Sequence, residues 1–175
     1  PSLANILGEA AELSGQLNIA RIYFDHAYEK FNQVSNETGQ ARVMKNYGNL
    51  AYQNKNYGDA RQFWEDSLSL SQKCNNHIIE ASCISNLGVL ASRMGDDEEA
   101  ERLYLESFTC SMTNKNYNGA SAALLNLASI SLRKKDIDDA ELFYSEACGL
   151  LRDIMDKKLL CQGLRLWGKF LINKR

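Results

Sequence analysis

The feature that most restricts this chain is an internal repeat of 40 residues. Ala20, Ala60, Ala100 and Ala140 form one series at that interval, and Gly8, Gly48, Gly88, Ala128 and Gly168 form another. Each member of the second series follows a large apolar residue: Leu7, Tyr47, Leu87, Leu127 or Trp167. Four residues after each member of the first series stands an aromatic (Phe24, Trp64, Tyr104, Tyr144), and three further on a small residue returns (Ala27, Ser67, Ser107, Ala147). Self-similarity at this period marks stacked supersecondary units, each too small to bury its apolar face alone. The pattern within one unit is that of a helical hairpin. A Gly or Ala lets two helix backbones approach, and the large neighbours fill the space to either side.

Start and stop signals divide each unit into a first and a second helix. Second helices open on capping sequences such as Asp96-Asp97-Glu98-Glu99 and Asp136-Ile137-Asp138-Asp139, whose acids also suit the positive end of the helix dipole. Gly15 and Gly95 stand where a left-handed residue would close the first helix, and Lys55 and Lys135 hold the same place less comfortably. The expected first helices are near 2–14, 41–54, 79–94, 119–134 and 158–173, and the expected second helices near 17–34, 57–74, 97–114 and 137–154. Asn36 to Gly39, Asn75 to His77 and Asn114 to Asn116 read as connectors between units. The chain's single proline, Pro1, fits packed helices. The expectation is an all-α array of four hairpins and one further first helix, with units near 1–40, 41–80, 81–120, 121–160 and 161–175.

Composition removes several classes of function. A formal net charge of -2 and a pI near 5.8 supply no general basic field, which argues against nucleic acid and acidic membranes as partners. No apolar run approaches the roughly 18 residues of a membrane span, and Pro-Ser-Leu-Ala is not the start of a signal peptide. The five cysteines have wide spacings and no CxxC pair, which points to reduced thiols in a cytosolic or nuclear setting, of which the cytoplasm is the expectation. The missing initiator methionine reads as a piece of a longer protein.

In these registers the chain resembles the tetratricopeptide repeat family along essentially its whole length. Asn86-Leu87-Gly88 followed by Ala91, Ala100, Tyr104 and Ser107 carries that resemblance most fully. Two departures are plain. The repeat is 40 rather than the common 34 residues, and the family's closing proline is replaced by Asn32, Gln72, Met112 and Arg152. Long repeats of this kind are similar to those of kinesin light chains, spindle-orientation adaptors, and the sensor arms of bacterial signalling ATPases and peptide-sensing regulators. The resemblance implies an α-solenoid, a right-handed superhelix whose concave surface is lined by the first helices. The function implied is a protein-protein interaction scaffold that takes a peptide or partner helix in that groove. The alternatives are a regulatory sensor arm of a larger signalling ATPase or transcription regulator, and an assembly piece whose groove packs on its own parent.

The groove residues expected from this register are Lys45, Asn46, Asn49 and Gln53, then Ser85, Asn86, Val89 and Arg93, then Asn126, Ser129 and Arg133, and finally Arg165 and Lys169. Asn46, Asn86 and Asn126 form a ladder in one register, and an amide that both donates and accepts can grip any peptide backbone. Its competitor is a purely structural role for each amide. Lys45, Arg93, Arg133, Arg165 and Lys169 collect positive charge, which favours an acidic partner. Lys45, Asn49 and Asn86 match three positions of a chaperone-tail carboxylate clamp, but Ala122 and Asn126 break the match.

Catalysis finds no support in the residues. His26 and His77 fall at unrelated repeat positions, and no metal-ligand spacing, phosphate loop or serine elbow is present, so neither cofactor nor metal is expected. The aromatics belong to the core by register. The stretch from Leu164 to Ile172 holds Leu166, Trp167, Phe170 and Leu171 with no second helix after it. Either it caps the array or the array continues, and its apolar face offers a route to self-association.

Overall fold

The computed structural model describes residues 2–153 and 163–168, and no strand occurs among them. Eight helices follow one another: α1 (Leu3–Leu13), α2 (Leu17–Gln33), α3 (Glu37–Gln53), α4 (Tyr57–Lys73), α5 (His77–Met94), α6 (Asp97–Thr113), α7 (Tyr117–Lys134) and α8 (Ile137–Asp153). Residues 163–168 are helical as well.

The spacing of the helices comes from one turn used repeatedly. Gly15, Ser35, Lys55, Asn75, Gly95, Lys115 and Lys135 all have positive φ, at steps of 20 residues. The next residue in each turn donates its backbone N–H five positions back, closing the preceding helix: Gln16 to Ala11, Asn36 to Phe31, Asn56 to Ala51, Asn76 to Ser71, Asp96 to Ala91, Asn116 to Ser111 and Asp136 to Ser131, all at 2.8–3.0 Å. The same residue then starts the next helix. Asn36, Asn76 and Asn116 accept from the backbone N–H of Gly39, Ile79 and Gly119 at 2.8, 3.1 and 3.1 Å, and Asp96 accepts from Glu99 at 3.0 Å.

This corrects the expected helix starts. The first helices begin at 37, 77 and 117 rather than at 41, 79 and 119, because the turn between units is as short as the turn within one. Gly39, read as part of a connector, is helical, and a Cβ there would lie 2.4 Å from the Phe31 ring. The small-and-large register is realised as expected at Gly8, Gly48 and Gly88. A Cβ on them would meet Phe24 at 2.4 Å, Trp64 at 2.4 Å and Tyr104 at 2.8 Å. Gly15, Gly95, Lys55 and Lys135 are left-handed, as their places in the repeat required.

The chain divides into two compact units, Pro1–Cys83 and Ile84–Arg175. In the first unit, Ala11, Ala20, Phe24, Ala27, Phe31, Val43, Tyr47 and Leu50 form a buried cluster, against which Ala4, Leu17, Tyr28 and Phe63 pack. Phe24 meets Tyr47 edge-on with ring centres 6.3 Å apart, and Phe63 lies 5.4 Å from the same ring. Ala41, Ile79 and Cys83 form a further cluster, and the buried Ser67 hydroxyl donates to the Ala41 carbonyl at 2.7 Å. In the second unit α6 packs on α7 and α7 on α8, burying Leu103, Tyr104, Leu124, Leu127, Ile130, Tyr144 and Leu151. A Cβ on Gly163 would stand 3.3 Å from the Cys148 sulfur and 3.6 Å from Leu125, so residues 163–168 belong to this unit's packing.

Candidate partner-binding face

In the first unit the sequence-predicted residues Lys45, Asn46, Asn49 and Gln53 lie along α3, and α1 meets them. Asn46 is 1 % exposed. Its amide donates at 3.2 Å to the side-chain oxygen of the buried Asn5 and at 3.2 Å to the Glu9 carboxylate, which also accepts from Asn5 at 2.8 Å. One turn on, Asn49 accepts from the Trp64 indole N–H at 3.2 Å, and the exposed Gln53 donates to the Glu12 carboxylate at 2.9 Å. Burial raises the Glu12 carboxyl above its ordinary value, and the nearby Lys45 ammonium pulls it back.

Two corrections to the sequence reading follow. Asn46, the first rung of the expected ladder, is a structural residue bridging α1 and α3, while Asn86 and Asn126 are half-buried. The face in this unit is also not simply basic, because Glu9 and Glu12 stand opposite Lys45 and Gln53. Both acids escaped the sequence reading, although Glu9 holds the register of Asn49, Val89 and Ser129.

The second unit uses the same step between first helices. Arg133 of α7 donates to the Ser92 hydroxyl of α5 at 2.7 Å and grips both carboxylate oxygens of Asp97 in the first turn of α6. Gln53 to Glu12 and Arg133 to Ser92 are equivalent contacts, each spanning 41 residues, as does Asn46 to Asn5. The charge of Arg133 is therefore offset within the chain. Arg93 and Arg165 are exposed, and Lys169 lies outside the described residues. Of the expected cations, Lys45 and Arg133 thus have acids beside them, which removes their part of the argument for an acidic partner.

The remaining functional expectations fall as follows. Burial pushes the Cys83 thiol up to about 11 and raises Cys148, as suits packed rather than reactive sulfur. Among the described residues no helix is long and apolar enough to cross a membrane. Leu164 is exposed and Leu166 and Trp167 are half-buried, whereas Phe170 and Leu171 lie outside the described residues. The described part of the expected last helix is helical, and its remainder is outside that range.

Known proteins share this architecture. Residues 39–111 match the family model described as tetratricopeptide repeat. Aspartyl phosphate phosphatase F from Bacillus subtilis superposes with a TM-score of 0.85 at 15% identity, over 96% of this chain and 44% of that one. The apo form of RapI gives a TM-score of 0.79 at 14% identity, over 95% and 61%. BtubC from P. vanneervenii gives 0.68 at 18% identity, over 88% and 63%. This chain therefore spans less than two thirds of each of these structures, and at such identities the likeness concerns the fold. No curated protein sequence matches it.

Proposed function

Since residues 39–111 match the tetratricopeptide repeat model, we propose that this chain is a protein-protein interaction scaffold whose first helices bind an extended peptide or a helix of a partner. The observation that carries the reading is the regular 41-residue step of side-chain bonds from one first helix to the next. It aligns the first helices within each unit and leaves half-buried amides and cations along them: Lys45 and Asn49 in the first unit, Asn86 and Asn126 in the second. Half-buried amides suit main-chain recognition, because they are already oriented and lose little entropy on binding. Exposed Gln53, Arg93 and Arg165 and the tethered Arg133 rim these positions and select side chains of the ligand. With Glu9 and Glu12 beside Lys45, the peptide favoured in the first unit carries both signs of charge.

This reading concerns binding rather than chemistry. One structural neighbour is a phosphatase by its description, but 15% identity carries the fold and not the reaction. The test is a peptide-display selection on the folded chain, followed by affinity measurements on Lys45→Ala and Asn126→Ala. A drop of about tenfold or more with unchanged helicity, equivalent to ~1.4 kcal/mol, supports the reading. Unchanged affinity in both variants removes it.

A further inference from the structure

Between α2, α3 and α4 the first unit holds a cavity of about 200 Å³. Leu17 and Arg21 of α2, Tyr47 and Leu50 of α3, and Asp59 and Phe63 of α4 line it, and α3 packs on both of the other helices. The buried Tyr47 and Leu50 make its base apolar, and its two charges come from opposite partners of α3. The Arg21 guanidinium lies over the Tyr47 ring at 4.5 Å and gives its Nε to Asp25 at 2.9 Å, while Asp25 also accepts from the Tyr47 hydroxyl at 2.7 Å. Both terminal nitrogens of Arg21 are thereby held in place without a bond of their own among the described residues. Asp59 accepts from the Asn56 amide at 2.6 Å through Oδ2, and its Oδ1 accepts nothing among the described residues. Eighty residues on, the second unit fills the equivalent place from its own chain. Arg21 and the cavity-lining Asn54 become Glu101 and Lys134, and Lys134 donates to Glu101. In the first unit Arg21 turns to Asp25 instead, and the Asn54 side chain makes no bond among the described residues.

We propose that this cavity is a binding site for a small zwitterion, a free α-amino acid with an apolar side chain. Its volume of about 200 Å³ lies below the ~300 Å³ at which pockets for drug-sized ligands begin, so the occupant is small. The apolar side chain rests on Tyr47, Leu50 and Phe63, the α-carboxylate takes the terminal nitrogens of Arg21, and the α-ammonium meets Asp59. Arg21 is already oriented by Asp25 and Tyr47, so it loses little freedom when the carboxylate arrives. Both charges of the ligand are needed. A simple carboxylate leaves Asp59 facing a like charge, and a simple amine does the same to Arg21. The site is separate from the first-helix face of the scaffold reading, since Lys45, Asn46, Asn49 and Gln53 do not line it.

The test titrates L-phenylalanine into the whole isotope-labelled chain and follows amide chemical shifts, beside two analogues that each lack one charge, 3-phenylpropionate and 2-phenylethylamine. The expected result is saturable binding of phenylalanine, with shifts centred on the residues around Arg21, Tyr47 and Asp59, and binding of each analogue weaker by about tenfold or more. Arg21→Gln is expected to bind phenylalanine no better than it binds the amine, and Asp59→Asn no better than it binds the carboxylate. Arg61→Gln, at the exposed position forty residues after Arg21, leaves the affinity unchanged. The analogue comparison uses the wild-type chain and does not depend on the folding of any variant. Absence of saturable phenylalanine binding overturns the proposal. So does an analogue that binds as tightly as the amino acid, or equal weakening by Arg21→Gln and Arg61→Gln.

Discussion

The side-chain amide of Asn46 donates to the side-chain oxygen of Asn5 at 3.2 Å, with both residues closed to solvent. This bond joins two successive first helices, and the Glu9 carboxylate takes a second bond from the same amide. An asparagine that from the sequence looks like a groove reader is thus a fastening between repeats. The bond separates Asn46 from its register mates Asn86 and Asn126.

Removing the fastening leaves a buried acceptor without its donor. Asn46→Ala is expected to lower stability by about 1–3 kcal/mol, and Asn46→Asp by more, because it sets a second carboxylate beside Glu9. Asn126→Ala, at a half-buried site, is expected to cost less than about 1 kcal/mol. Urea denaturation of the three variants checks the order.

The Gly-to-aromatic contacts predict a graded response. At Gly48 a Cβ would fall 2.4 Å from the Trp64 ring, whose N–H bonds the Lys45 carbonyl and the Asn49 side chain, each at 3.2 Å. Gly48→Ala must displace that ring and is expected to cost about 1–3 kcal/mol. Gly88→Ala is milder, because the nearest Tyr104 atom is 2.8 Å away and the same register already holds Ala128 opposite Tyr144. Midpoints of chemical denaturation distinguish the two.

The left-handed turn residues predict changes of opposite sign. Lys55 has φ 62°, a conformation that costs a side-chain-bearing residue about 1–2 kcal/mol. Lys55→Gly is therefore expected to stabilise, by roughly 0.5–1 kcal/mol after the flexibility of glycine in the unfolded chain is subtracted. Gly95→Ala, at φ 85° with open space around it, is expected to destabilise through backbone strain alone. Thermal unfolding of both variants is sufficient.

Glu12 predicts a pH dependence. Burial raises its folded-state value above 4.5; Lys45, Asn49 and Gln53 oppose the rise and Glu9 adds to it. A raised carboxyl favours the folded state fully below its unfolded value, and that contribution is lost as pH rises through the folded value. Relative to Glu12→Gln, the wild type should lose stability as pH rises from below 4.5 through that window, with a constant difference above it. Urea midpoints for the two proteins across acidic to neutral pH give the comparison; a difference that does not change with pH contradicts the assignment.

Much of the fold was legible because repetition exposes it. Gly8, Gly48 and Gly88 found their aromatics, and Lys55 and Lys135 were placed as left-handed turns from register alone. The turns between units were misjudged for a physical reason. Gly39 looks like a loop residue, but it lies inside a helix at a close approach, where a Cβ would stand 2.4 Å from the Phe31 ring. The capping series Asn36, Asn56, Asn76, Asp96, Asn116 and Asp136 was the available signal, since its step of 20 shows every turn to be alike. The candidate site was less legible. Which side chain reaches across 41 residues depends on how far successive first helices are offset, and periodicity along one chain does not contain that offset. Gln53 and Arg133 were recognised as facing residues, but the acids that hold them, Glu12 and Asp97, lie on other helices.

The most direct measurement places a photo-crosslinking residue on each kind of helix and asks where a display-selected peptide attaches. Ser129→benzoylphenylalanine lies on α7, a first helix, and Ser145→benzoylphenylalanine on α8, a second helix; both positions are exposed. The account predicts that the peptide crosslinks at 129 and not at 145, and that Asn126→Ala weakens the 129 product. Crosslinking at 145 with none at 129 would contradict binding by the first helices.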